Sequence, residues 1–105
     1  MIKYTTPTIS LIVEGVDLSD QNVYVTLEQG TNELTKSGND LSVQAQTRGQ
    51  TTDTSITFTL TQEESASFNY NANVSVQVNW ILNGVRSATE IKGIPVMRNL
   101  LDEVL

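Results

Sequence analysis

The chain has 105 residues, with 12 acidic against 6 basic side chains, no His, no Cys and a formal net charge of −6. Lacking both the commonest general base and any thiolate, it has no residues for Ser-His-Asp, Cys-His or zinc chemistry, and no disulfide staples its core. The acidic balance repels phosphate, and Lys3, Lys36, Arg48, Arg86, Lys92 and Arg98 form no stripe, so neither nucleic acid nor an anionic membrane is expected as a partner.

The length suits a single domain over residues 1–105 with one modest core. The N-terminal residues, Met1 to Pro7, carry no apolar stretch of the signal-peptide kind, and the expected compartment is the cytosol. From Thr8 onward the chain alternates apolar and polar residues with period 2, the mark of strands with one solvated face. Thr8–Val13 sets Ile9, Leu11 and Val13 on one side. Val23–Leu27 sets Val23, Val25 and Leu27 inward and Tyr24 and Thr26 outward. Leu41–Ala45 repeats the pattern with Leu41, Val43 and Ala45, and Ser55–Leu60 with Ile56, Phe58 and Leu60. The longest run, Val74–Leu82, places Val74, Val76, Val78, Trp80 and Leu82 on the core side.

Turn residues separate these runs at Gly15–Asp20, Gln29–Asn32, Ser37–Asp40 and Arg48–Gln50. Asn83-Gly84 is the strongest hairpin signal in the chain. A two-residue loop there sets Leu82 opposite Val85, Trp80 opposite Ser87, Val78 opposite Thr89 and Val76 opposite Ile91. Between the fourth and fifth runs, Thr61-Gln62-Glu63-Glu64 reads as a capping box that opens a short helical turn near 62–68. After Pro95, the residues Met97, Leu100, Leu101 and Val104 fall at i, i+3, i+4 and i+7, an apolar stripe that predicts a short C-terminal helix. Ten residues do not hold a helix alone, so this segment must dock, either on its own domain or on another chain. The expected fold is all-β: a small antiparallel β-sandwich, immunoglobulin-like, with residues 96–105 as a docking segment. A small barrel is the alternative.

Chemical candidates are few. Glu14, Asp17, Asp20, Asn39, Asp40 and Asp53 make the turns oxygen-rich, as Ca²⁺ sites are, but no EF-hand spacing is present and turn geometry accounts for them. Adjacent Glu63 and Glu64 point in different directions on a helix, so they suit capping better than paired acid–base work. Trp80 belongs to the core side of its strand. Tyr24 and Tyr70, with nearby Asn and Gln, are the residues a sugar-binding surface would use. The sequon Asn73-Val74-Ser75 opens a strand and reads as chance. No catalytic, cofactor or metal residues are expected, and the chain is read as a non-enzyme. The docking residues are Met97, Leu100, Leu101 and Val104.

Four segments, Asn22–Gly30, Leu60–Glu64, Val76–Trp80 and Val96–Val104, together resemble short prophage proteins of Gram-positive, Clostridia-like bacteria. Such proteins are of about this length and are encoded among tail or baseplate genes. The similarity runs nearly end to end. It implies a phage structural or assembly protein acting through contacts with other phage proteins or with itself, cytoplasmic during assembly and then part of the virion. It implies no site residues, because these motifs are structural. A carbohydrate-binding module for host-surface recognition is the alternative function.

Overall fold

The computed structural model describes residues 1–105 as two antiparallel sheets packed face to face. The strands are β1 (Thr8–Val13), β2 (Asn22–Gln29), β3 (Asn32–Ser37), β4 (Ser42–Arg48), β5 (Thr51–Thr59), β6 (Val74–Leu82), β7 (Val85–Ala88) and β8 (Lys92–Ile94). One five-residue helix, α1 (Gln62–Ala66), crosses between the sheets. The smaller sheet has the order β1-β5-β4. The larger has β3-β2-β6-β7, with β8 also on β6. Taking β1 as the second strand of an immunoglobulin domain gives B-E-D over C′-C-F-G, with the last strand split into β7 and β8. This is the immunoglobulin order without its first strand.

The alternating residues meet between the sheets. Ile9, Val13, Ile56 and Phe58 from one face Val23, Val25, Leu27, Val74, Val76 and Val78 from the other. Four core residues come from outside the strands: Leu18, Leu60, Phe68 and Val96. Leu18 lies in the β1–β2 loop, which folds back because the buried Thr54 hydroxyl accepts from the Leu18 amide at 3.0 Å and donates to the Val16 carbonyl at 2.7 Å. Leu11, Leu41, Val43 and Trp80 pack only against the margin of the core. The β4–β5 hairpin runs past the end of β1, whose Val13 pairs with Thr54, and lengthens the molecule to 47 Å against 25 and 21 Å.

Asn83 and Gly84 both take positive φ, 51° and 76°, as a type I′ turn requires. Leu82 pairs with Val85 and Trp80 with Ser87, as expected. The register then slips. The Thr89 amide still reaches the Val78 carbonyl, but the Thr89 hydroxyl takes the Val78 amide, and Val76 pairs with Lys92 instead of Ile91. One extra residue in the last strand is a β-bulge. It turns Ile91 out of the core and leaves it 65% exposed.

The capping box forms as the sequence predicts. Thr61 Oγ1 accepts from the Glu64 amide, and Glu64 Oε1 accepts from the Thr61 amide. The same Glu64 oxygen accepts from Lys36 Nζ at 2.8 Å, tying α1 to β3. Burial pushes the Glu64 carboxyl up, but hydrogen bonds from Lys36 and the Thr61 amide together outweigh it and hold it below its ordinary value of 4.5. A carboxyl depressed by folding stabilises the fold above its unfolded pKa and loses that contribution as pH falls through the folded one. Glu64→Gln is therefore expected to lower stability by about 1–2 kcal/mol at neutral pH. In denaturant titrations the gap from wild type should close as pH drops below the ordinary glutamate range. A gap independent of pH would refute the assignment.

The expected C-terminal helix does not form. Met97, the stripe's first member, uses its backbone elsewhere: its amide donates to the Met1 carbonyl and its carbonyl accepts from Lys3. The Leu101 amide donates to Asn99 Oδ1, which caps the backbone in a non-helical turn. β3 is an element absent from the sequence reading. Its residues carry one half-buried apolar side chain, Leu34, between charged Glu33 and Lys36, too little for a period-2 signal.

Candidate functional site

The four residues expected to dock all lie at the surface, with no helix to align them: Met97, Leu100, Leu101 and Val104. Leu100 is 90% exposed and Leu105 82%. The segment 96–105 divides into two parts. Val96 is buried in the core, so the segment's first residue is structural. Met97 forms a parallel bridge with Ile2, the Met1 ammonium donates to the Pro95 carbonyl at 2.9 Å, and Asn99 Nδ2 donates to the Lys3 carbonyl at 3.0 Å. The two termini thus brace each other, and residues 95–99 are fixed to the domain.

Residues 100–105 are held more lightly. The Leu105 amide donates to Gln62 Oε1 on α1. The Tyr4 phenol is pushed above its ordinary value, chiefly by its hydrogen bond to Asp102, with desolvation and that carboxylate's charge adding to it. These are polar contacts, and they leave the leucines facing water. Ile2, 45% exposed, joins the same end of the sandwich. Exposed leucine in such concentration is unusual for a surface with no partner, because each large apolar side chain left in water forgoes about 1.5–3 kcal/mol of burial. The sequence stripe located the apolar residues correctly. The bracing by Met1 to Lys3 went unread, because it joins residues some 95 positions apart.

The other candidates do not assemble into sites. Asp17 is spent locally: the Ser19 hydroxyl and amide both donate to its Oδ1 and lower its carboxyl. Asp53 accepts from the Gly15 amide. Glu63 is exposed beside the committed Glu64. Tyr24 stands on the outer face of the larger sheet beside Asn79, Ile81 and Arg86, whose guanidinium leans on Asn79 Oδ1 at 3.3 Å. Tyr70 sits in the loop after α1, at the opposite end of that sheet, so the two tyrosines make no common platform. No helix is long and apolar enough to cross a membrane. No protein-family model, curated protein or solved structure matches the chain.

Proposed function

We propose that this domain is a non-enzymatic structural or assembly component of a phage or prophage tail or baseplate, acting through protein–protein contacts. The observation that carries this reading is the C-terminal tail: its backbone is anchored through residue 99, while its leucines are held out toward solvent. The prophage assignment draws its support from the four segments that resemble tail and baseplate proteins. The partner is another phage structural protein or a second copy of the chain, met in the cytosol during assembly and retained in the virion. A small rigid sandwich with no chemistry of its own suits such a module.

Mass spectrometry of particles purified after prophage induction tests the reading. The chain is expected in a fixed ratio to the tail proteins. Expression in the lysate with none in intact particles would remove the virion role.

A further inference from the structure

The smaller sheet is three strands across and the larger four, so one strand position is empty. It lies beside β1, where the first strand of an immunoglobulin domain would run. Hydrogen-bond alternation shows what that edge offers. Pro7 accepts from the Leu60 amide, so residues 9, 11 and 13 bond β5, while Thr8, Ser10 and Ile12 aim their N–H and C=O groups outward. Next to this edge is a slot of about 420 Å³, with Leu11, Val76 and Val78 lining it.

Open edges are normally defended by charge, proline or brevity. β3 carries Glu33 and Lys36, β4 ends in Arg48, and β7 is four residues long with Arg86. β1 is six residues with no charge, and Ile12 on it is 64% exposed. It is the one undefended edge.

We propose that this slot receives residues 100–105 of a second copy of the chain as an added strand, antiparallel to β1. Length fits: both stretches are six residues, roughly 20 Å when extended. Charge fits too. Along the slot, Glu14 and Glu90 lie at the end where β1 finishes, and Lys92 lies below them. Along the tail, Arg98 precedes Asp102 and Glu103. An antiparallel tail sets Arg98 by the two glutamates and Glu103, on the same face as Leu101, by Lys92. None of Glu14, Glu90, Lys92 and Arg98 has an ion-pair partner within its own chain. Leu101, Glu103 and Leu105 then share the face turned to the slot, the two leucines flanking Glu103 and supplying the apolar side chains that backbone pairing leaves to specificity. The tail leaves one end of a molecule and enters its neighbour from the other, a geometry open both to reciprocal exchange in a two-fold dimer and to onward passage in a ring or filament. This inference rests on the docking reading of the tail.

Sedimentation of the full chain across a concentration series tests it, together with residue-resolved amide exchange. Wild type is expected to associate, with the Thr8, Ser10 and Ile12 amides slowing as it does. Ser10→Pro removes an outward N–H that β5 does not use, so the fold tolerates it; association should weaken about tenfold or more. Ala45→Pro makes the same change on the outward side of the β4 edge and should associate like wild type. If Ser10→Pro fails to fold, Ile12→Lys puts a charge on the same edge from an exposed position. A chain monomeric at every concentration overturns the proposal, as does association in which the Ser10 and Ile12 amides stay unprotected. Association lost in Leu100→Ser but kept in Ser10→Pro overturns the slot and leaves the docking tail standing. Particle mass spectrometry judges the phage reading separately.

Discussion

Removing residues 96–105 is expected to cost the domain about 2–3 kcal/mol from Val96 alone, because that side chain is 5% exposed and fills the end of the core. The loss extends further. Without Met97, the Met1 carbonyl and the Lys3 amide lose their partners, and the N-terminal residues come free. For a domain of this size the melting temperature should fall by roughly 10–20 °C. Removing residues 100–105 should behave differently. Its leucines are exposed and it contributes few contacts, so stability should change by about 0.5 kcal/mol or less. Thermal melts of the two truncations check this directly. Equal losses would mean that the outer tail is part of the core, and the docking reading would fall with that result. Unequal losses of this kind would place the part of the tail available for docking after Asn99.

Phe68→Ala is expected to lower stability by about 3–5 kcal/mol, a large part of the total for a domain whose net stability is about 5–15 kcal/mol. Phe68 is fully buried, the largest side chain to be so. It follows α1 and closes the end of the sandwich at which β5 hands over to β6. The loop beyond it is tied down by Gln29, which donates to the Asn69 and Ala72 carbonyls and accepts from the Asn69 amide, and this opposes collapse of the loop into the space. Denaturant unfolding measures the change. A loss below about 1 kcal/mol would show that this end of the core relaxes freely.

What was legible in the chain follows from the range of the interaction that writes it. β1 and β6 have their bounds, and β6 its core face up to Val78, written in the alternation, because a strand with one wet face must alternate and the alternation is local. The capping box needs only Thr61 and Glu64, three residues apart, and the Asn83-Gly84 turn needs only two neighbours with positive φ. β3 escaped because it is an edge strand with a single half-buried side chain, so nothing forces its polar residues into a pattern. Trp80, on the core side of that alternation, reaches only the core's margin, although its partner Val23 on β2 is buried.

The tail shows the limit most clearly. A stripe at i, i+3, i+4 and i+7 states that four apolar residues would share a helix face, and no more. Whether the helix forms depends on competition for the backbone. Met1 and Lys3 win the Met97 groups, and Asn99 wins the Leu101 amide, so the stripe follows a bent, non-helical path. Ile91 has the same explanation. Two-residue turn geometry sets the register near Asn83-Gly84, but the Thr89 hydroxyl takes over one rung of the ladder, and every residue beyond it changes face. The sequence by itself determined the fold class, the core faces of the principal strands, the helix start, the chief hairpin and the absence of His- and Cys-based chemistry. The tertiary structure decided the bracing of the two termini, the bulge, the exposed leucines and the empty strand position beside β1. Each of these depends on which distant group meets a backbone amide first, and a local pattern does not encode that.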